Sequence, residues 1–331
     1  MGCTSPLRVW HSKEVNESTG KRGITFSDSY AYEKDMPFEI ACKQCNSCLR
    51  DRSGNWGLRL YGESMQYDNN HFLTLTFDEE NLHKRENPLS VDKRDMQLFN
   101  KRLRKSIASE NPHDKIENPE EFKSWNKAHK LKFYQIWEYG ELNNRPHYHS
   151  LLFNVPYFDD LVLYSQGKNG DNLYKSEKLA KLWPHGQCAI GEVNMDTIGY
   201  TTNYVVNNKS GEGAEEYYSR TDLETGEVYQ VEKQGSSMSK GLGNQFYEDF
   251  RNDMYPKDFI TLSGRKTKLP KYYDLLEELA DPIRFDEIKE KRLESAMKFK
   301  NDDTPERRKV KEKVSLLKKK EKSLRDFRSA S

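Results

Sequence analysis

The spacing of apolar and polar residues predicts both strands and helices in the middle of the chain. Residues 71–78 (HFLTLTFD) are rich in β-branched and aromatic side chains, which is typical of a strand. Residues 90–110 carry apolar side chains every three or four positions, with lysine and arginine between them, and therefore predict an amphipathic helix. Residues 131–140 and 147–154 predict two further strands, and the glycine and asparagines between them predict an antiparallel hairpin.

Other segments extend this pattern on both sides. Residues 188–195 predict a strand, whereas helical spacing is found at residues 50–67, 174–184 and 196–209. We expect Asp196 to cap the last of these helices. Residues 211–237 predict a mobile loop with a β-hairpin at its tip.

This order of elements favours an α+β fold: a central antiparallel sheet of about five strands with helices packed on one face. We expect three parts along the chain. They are an N-terminal cysteine-rich segment and helix (1–67), a central domain with the predicted sheet (68–280) and a charged, basic helical tail (281–331).

Composition changes this picture mainly in the tail. The net charge is only +1, but residues 291–331 contain 15 Lys or Arg against 7 Asp or Glu, a pattern that suggests a polyanionic partner or a merely solvated helix. No run of about 18 apolar residues predicts a membrane span, and the N-terminus lacks the apolar core of a signal peptide. Five cysteines, three of them clustered, favour a reducing cytosol and a metal or catalytic use.

Two histidines mark the head of the strand at residues 147–154. His147 and His149 are two positions apart, so they project from one face of the strand and can bind one divalent ion. An acidic side chain should complete such a site. The preceding strand offers Glu138 and the turn offers Glu141; we favour Glu138. The alternative is a histidine pair that is only hydrogen-bonded in a polar sheet face.

The clustered cysteines suggest a second metal site. Cys42, Cys45 and Cys48 follow one another in steps of three, a spacing that can chelate zinc, and Cys3 is the natural fourth ligand with His11 in reserve. Iron–sulfur binding or plain free thiols are the alternatives. Cys188 is expected in the core.

Three ordered motifs resemble those of the HUH endonuclease superfamily. RPHYHSLLF resembles its H-hydrophobic-H motif, HFLTLTFD the strand motif before it, and YTTNYVVNNK the helix motif after it, in a two-tyrosine form with Tyr200 and Tyr204. The stretches CKQCNSCLRDRSGNW and EYGELNNRPHYHSLLF are similar to microvirus replication initiators of the gokushovirus type. In that family a basic residue usually precedes the second tyrosine, whereas here Asn203 does.

This resemblance implies an HUH-type palm fold and a function. Mg or Mn held by His147, His149 and Glu138 would serve a tyrosine that nicks one DNA strand, becomes a covalent 5′-phosphotyrosine and allows strand transfer and re-ligation in rolling-circle replication. The two tyrosines would share the successive cuts, with Lys209 as an assisting cation. If one tyrosine is dedicated to initiation, Tyr204 is favoured because Lys209 follows it more closely.

The same resemblance implies partners and a location. Single-stranded and replicative-form origin DNA, together with a host helicase and polymerase, would be met in the cytoplasm of an infected bacterium. The basic side chains of the predicted helix at 90–110 should hold backbone phosphates; these are Lys101, Arg102, Arg104 and Lys105.

Two other functions fit parts of the sequence. A 2-His-carboxylate iron oxygenase would use the histidines, but its usual ligand order is missing. A non-catalytic, zinc-stabilised single-stranded nucleic-acid-binding protein would use the aromatic and basic residues alone. DNA that stays attached to the protein under denaturing conditions would separate nicking from binding, since only the former needs the tyrosine pair.

Overall fold

The computed structural model describes most of the chain. The described residues are 2–140, 144–166, 170–207, 213–221, 226, 228–262, 264–299, 301 and 303–330. Glu141 and Lys209, both considered above as site residues, lie outside these ranges.

Strands and helices occur in runs along the described residues. The strands are β1 (Leu7–Val15), β2 (Arg22–Thr25), β3 (Phe38–Ile40), β4 (His71–Thr76), β5 (Lys132–Tyr139), β6 (Pro146–Phe153), β7 (Val162–Gln166), β8 (Asn172–Lys175), β9 (Cys188–Gly191), β10 (Ser219–Thr221), β11 (Val228–Gln230), β12 (Gly235–Met238), β13 (Phe259–Leu262) and β14 (Arg265–Lys268). The helices are α1 (Asn46–Ser64), α2 (Glu79–His83), α3 (Lys93–Ser109), α4 (Pro119–Ala128), α5 (Glu177–Leu182), α6 (Met195–Asn207), α7 (Ala214–Tyr217), α8 (Asn244–Met254), α9 (Lys271–Ala280), α10 (Pro282–Lys298) and α11 (Pro305–Ala330).

The backbone forms two compact units. The first contains residues 1–52 and 286–331, with the three-stranded sheet β2-β1-β3 and the helix α11. The second contains residues 53–285 and the large sheet. The three-part division expected from the sequence stays a prediction. Among the described residues, no helix is both long enough and apolar enough to cross a membrane.

The large sheet of the second unit has seven strands in the order β12-β5-β6-β4-β9-β8-β7. Every neighbouring pair in it is antiparallel, including the expected hairpin of β5 and β6. The α+β class with a large antiparallel sheet is therefore confirmed. The sheet has seven strands where about five were expected, because β7, β8 and β12 arise from segments whose sequences did not predict strands.

Helices cover both faces of this sheet, whereas the sequence predicted one. On one face, Tyr148 and Leu152 of β6 pack into a core with the apolar stripe of α3. On the other face, Tyr134 packs against Trp56 of α1, and α6 lies over β5 and β6. Both faces need cover because β5 is buried on both, as expected when apolar side chains point each way.

Two local corrections concern helices. The helix α6 begins at Met195, and its N-terminal amides are capped by Asn194, whose side-chain oxygen accepts from the backbone N–H groups of Asp196 and Thr197. Asp196 lies inside the helix instead of capping it. The helix expected at residues 174–184 is shorter, because its first residues belong to the strand β8.

Candidate functional site

The β5–β6 hairpin places the three predicted metal ligands together. Glu138 lies directly opposite His147 in the strand register, and His149 lies two residues further along the same face. The Glu138 Oε1 atom is 3.3 Å from His147 Nε2 and 3.5 Å from His149 Nε2. One ligand atom from each of the three residues lies within 4.8 Å of the others, which is close enough for all three to bind one ion.

Neighbouring groups orient both imidazoles. The His147 Nδ1–H group donates to the carbonyl oxygen of Arg145 at 3.2 Å, and the His149 Nδ1 atom lies 3.2 Å from the hydroxyl oxygen of Thr74. Phe72 stacks flat on the His149 ring, with centroids 5.3 Å apart. These contacts leave the Nε2 atoms facing Glu138, as in metal sites where the second ring nitrogen fixes the ligand's orientation.

Burial and nearby charges favour the protonation states in which Glu138 and His149 can bind a metal ion. Burial alone would raise the pKa of Glu138, but the His147 hydrogen bond and the nearby imidazole charges hold it below its ordinary value. Burial, reinforced by His147, lowers the pKa of His149 to about 4. An ionised carboxylate therefore faces a neutral imidazole at neutral pH. This nitrogen and oxygen donor set is compatible with a divalent cation such as Mg or Mn.

Tyr200 brings a phenol hydroxyl to the same place. Its hydroxyl donates to Glu138 Oε1 at 2.9 Å and lies 3.3 Å from His149 Nε2. The residue as a whole is 51% exposed. This position follows from the packing of α6 across β5 and β6.

Tyr204 occupies a different environment although it lies one helical turn further on. It is only 4% exposed, and its hydroxyl donates to the Ser236 hydroxyl of β12. Ser236 pairs with Ile136, two residues before Glu138 on β5. The structure thus brings Tyr200 to the three ligands and holds Tyr204 beside them, hydrogen-bonded to another strand.

The basic residues of α3 lie away from this cluster. Side chains alternate along β6, so Tyr148 points to the opposite face from the histidines, and its hydroxyl bonds there with Asp92 and Asp95 at the start of α3. Consequently the four predicted DNA-binding residues lie on the other side of the sheet. Arg102 donates to the Leu182 carbonyl, whereas the remaining three are exposed; these are Lys101, Arg104 and Lys105.

The cysteine cluster is assembled as the spacing predicted. The sulfur atoms of the four residues all lie within 4.8 Å of one another, and Cys3 Sγ is 3.5 Å from Cys42 Sγ and 3.8 Å from Cys45 Sγ. No disulfide joins these partly buried thiols. The fourth residue is Cys48, in the first turn of α1. The reserve candidate His11 is not part of the group, and its ring packs on Phe38.

Sequence reasoning missed the residues that support the site. Phe72 and Thr74 belong to the strand motif HFLTLTF, whose period of two places them on the histidine face once β4 is known to pair with β6. No sequence feature indicated a role for Ser236, because its segment was expected to be a loop. The pairing of distant strands decides all three positions.

Comparison with known proteins shows which proteins the segment that carries these motifs is similar to. Residues 70–209 match the family model of the replication-associated protein ORF2/G2P. The matched segment includes β4, β5, β6 and α6, and so spans both histidines, Glu138 and the two tyrosines.

Individual relatives come from bacterial viruses. The chain is 26% identical to the replication-associated protein ORF2 of Spiroplasma virus 4 over 303 residues, which cover 88% of this chain and 86% of the relative. It is 25% identical to the replication-associated protein VP4 of Bdellovibrio phage phiMH2K over 278 residues, covering 82% and 76%. It is 27% identical to the replication-associated protein ORF4 of Chlamydia phage 1 over 256 residues, covering 76% and 57%. No solved structure matches the chain significantly. The resemblance to microvirus replication proteins is confirmed by these matches.

Proposed function

We propose that the chain initiates rolling-circle replication of a small circular single-stranded phage genome by nicking one DNA strand through a covalent 5′-phosphotyrosine. One observation carries this proposal: the Tyr200 hydroxyl lies within hydrogen-bond distance of both Glu138 and His149. A binding protein has no need of a phenol beside a metal-ligand cluster. The relatives, all named replication-associated proteins of bacterial viruses, support the same role.

The residues divide the chemistry between them. His147, His149 and Glu138 would hold a divalent cation, which neutralises phosphate charge and orients the phosphodiester for in-line attack. The Tyr200 oxygen forms a bond to phosphorus while the bond from phosphorus to the 3′-oxygen breaks. Glu138 Oε1 accepts the Tyr200 hydrogen bond and so orients the phenol, whose proton passes to water as the bond to phosphorus forms. The departing 3′-oxygen takes a proton from water.

The phosphotyrosine preserves the energy of the cut bond. The free 3′-hydroxyl can prime synthesis by a host polymerase, with a helicase separating the strands. After one round, a 3′-hydroxyl that attacks the phosphotyrosine closes the strand without ATP, because one phosphoester replaces another. Such a reaction would take place in the cytoplasm of the infected bacterium.

The two tyrosines differ in how directly their hydroxyl groups can reach a phosphate, and this difference favours Tyr200 for the first cut. The sequence favoured Tyr204 through its nearness to Lys209, which lies outside the described residues. Tyr204 is buried and bonded to Ser236, so it must release that bond before it can reach a phosphate. We therefore assign the second cut to Tyr204, when the Tyr200 oxygen is already esterified.

Covalent attachment to DNA tests this assignment. The full chain is incubated with circular single-stranded phage DNA and Mn²⁺, denatured in SDS and analysed for protein bound to DNA, with mass spectrometry locating the modified tyrosine. We expect an adduct on Tyr200 in the unchanged protein and in Tyr204→Phe, and none at the first cut in Tyr200→Phe. Tyr164→Phe, which alters an exposed tyrosine of β7, is the matched control.

Three results would contradict the proposal in different ways. An adduct that persists in the Tyr200→Phe/Tyr204→Phe double variant places the nucleophile elsewhere. An adduct only on Tyr204 reverses the order of the two tyrosines. DNA binding without any adduct, across Mg²⁺ and Mn²⁺, indicates the non-catalytic binding protein.

A further inference from the structure

The cysteine cluster lies where the N-terminal segment meets the basic helix α11. All four cysteines and α11 belong to the same compact unit. The residues that follow two of the cysteines, Thr4 and Asn46, both contact one carboxylate of α11. The Thr4 hydroxyl and the Asn46 backbone N–H donate to the two oxygens of Glu312. The Asn46 side chain also donates to the Ser315 hydroxyl, one turn further along α11.

The spacing of the sulfur atoms fits a single tetrahedral ion. With a Zn–S distance of about 2.3 Å, two sulfurs of a tetrahedral zinc site lie about 3.8 Å apart. In this protein the Cys3 Sγ atom lies 3.5 Å from Cys42 Sγ and 3.8 Å from Cys45 Sγ. In a four-iron cluster each thiolate binds a different iron, so its sulfurs are held further apart. The distances favour one ion bound by all four cysteines.

Backbone groups support the sulfurs as they do in metal knuckles. The Cys42 N–H donates to Cys3 Sγ, and the Cys45 N–H donates to Cys42 Sγ. Lys43, between these cysteines, has a φ of 62°, which closes the turn that directs the second of these amides. Cys45 accepts the first hydrogen bond of α1 and Cys48 lies in its first turn, where the helix dipole favours thiolates.

We propose that this unit binds one Zn²⁺ through Cys3, Cys42, Cys45 and Cys48, and that the ion holds α11 in place. It does so by bringing together the two groups that donate to Glu312, a contact that we call the clasp. Joining Cys3 to Cys45 sets their successors, Thr4 and Asn46, side by side. These two supply the donors that Glu312 needs. The Glu312 carboxylate also lies at the start of α1, where the positive end of the helix dipole favours it.

The clasp explains how α11 can stay bound to its unit although its many positive charges repel one another. From Pro305 to Ala330, α11 carries 11 Lys or Arg against 4 Asp or Glu. Glu312, which forms the clasp, is one of these four acidic residues. One turn earlier, Arg308 pairs with Glu39 of β3. Loss of the ion would therefore free a strongly basic segment, whose natural ligand is a polyanion such as nucleic acid.

Metal analysis tests the site itself. We expect one zinc per chain in protein purified under reducing conditions, measured by elemental analysis that also detects iron. A His147→Ala/His149→Ala variant should keep this zinc, which excludes binding at the hairpin. Cys3→Ser should lose it, whereas Cys188→Ser, which alters a cysteine outside the cluster, should keep it. A chain without zinc, or with iron in its place, would overturn the assignment.

Hydrogen exchange tests the link to α11 in the unmodified full chain. Removal of zinc with a chelator should speed amide exchange at residues 305–318 about tenfold or more, the factor that corresponds to a lost hydrogen bond to a charged group. Glu312→Gln should speed it while zinc remains bound, whereas Glu290→Gln, at an exposed position of α10 in the same unit, should not. Exchange that is unchanged after zinc removal would refute the clasp. Neither measurement involves DNA, so failure here is distinct from failure of the nicking proposal.

Discussion

Two clusters of side chains that could each hold a metal ion differ in their ligands, their neighbours and their place in the chain. The hairpin cluster combines two imidazoles with one carboxylate, all from residues 138–149, and has an exposed phenol beside it. The cysteine cluster combines four thiols and joins residue 3 to residues 42–48. Its sulfur atoms accept hydrogen bonds from backbone N–H groups of residues 42–48.

The difference teaches how to separate a chemical metal site from a structural one. Three protein ligands leave coordination positions for a substrate, whereas four ligands complete a tetrahedral shell. The hairpin cluster also places its donors near a group that can react, and the cysteine cluster places its donors near a helix that needs an anchor. Changes at the two clusters should therefore have effects of different kinds.

Loss of a histidine ligand should have the largest effect. We expect His149→Ala to reduce formation of the DNA adduct below detection, because the phosphate loses the ion that orients it, while affinity for single-stranded DNA is kept. Adduct assays with a Mn²⁺ titration and fluorescence anisotropy measure the two properties. His83→Ala, at an exposed position on α2, is the control. If binding falls as much as nicking does, the histidine pair is structural.

Removing the hydroxyl behind His149 should have an intermediate effect. Thr74→Val deletes the group 3.2 Å from His149 Nδ1, so the imidazole is held less firmly. Since such outer contacts are worth about 10–100-fold in metal affinity, we expect the Mn²⁺ requirement to rise by about that factor and the maximal rate to recover at high Mn²⁺. Thr261→Val, at an exposed position of β13, should leave the requirement unchanged. An unchanged requirement in Thr74→Val itself would show that Thr74 does not tune the ion.

The Tyr204–Ser236 hydrogen bond should matter mainly for stability. We expect Tyr204→Phe and Ser236→Ala each to lower the free energy of unfolding by about 1 kcal/mol, as is usual for one internal hydrogen bond. Because both remove the same bond, the double variant should lose less than the sum of the two. Urea denaturation measures these values. Full additivity would mean that the hydroxyls do not interact, and Tyr204 would then be free to act first.

The smallest effect on chemistry should come from the cysteine cluster. Below its unfolding temperature, Cys3→Ser should form the DNA adduct in a single turnover at the rate of the unchanged protein, because no thiol takes part in phosphoryl transfer. A rapid-quench measurement of adduct formation tests this. If Cys3→Ser lost as much adduct formation as His149→Ala, the cysteine cluster would be needed for the reaction, and the two clusters would not differ in function.

Local sequence was sufficient for the parts of the site that lie within one element or one hairpin. The period of two in β6 placed His147 and His149 on one face, and the short turn brought Glu138 opposite them. The step of three in the cysteine run likewise predicted its cluster. These inferences need only short-range geometry.

Longer-range features were beyond that reasoning. The four-residue spacing of Tyr200 and Tyr204 predicts a shared helix face, but only the strand order shows that one phenol meets the ligands and the other meets β12. In the same way, amphipathic spacing predicted α3 without indicating which sheet face it covers. The extra strands of the sheet went unrecognised because each is only four or five residues long, too short for a clear alternation of apolar and polar residues.

The order of these residues along the chain has a consequence during synthesis on the ribosome. Glu138, His147 and His149 lie in a single hairpin, and the strand β4 that pairs with it precedes it, so this group can assemble from residues that are made before α6. Tyr200 follows His149 by 51 residues and reaches it only when α6 has packed on the sheet. A nascent chain that ends before α6 therefore has these three side chains without the Tyr200 hydroxyl. Under the proposed function, such unfinished copies would leave the genome uncut.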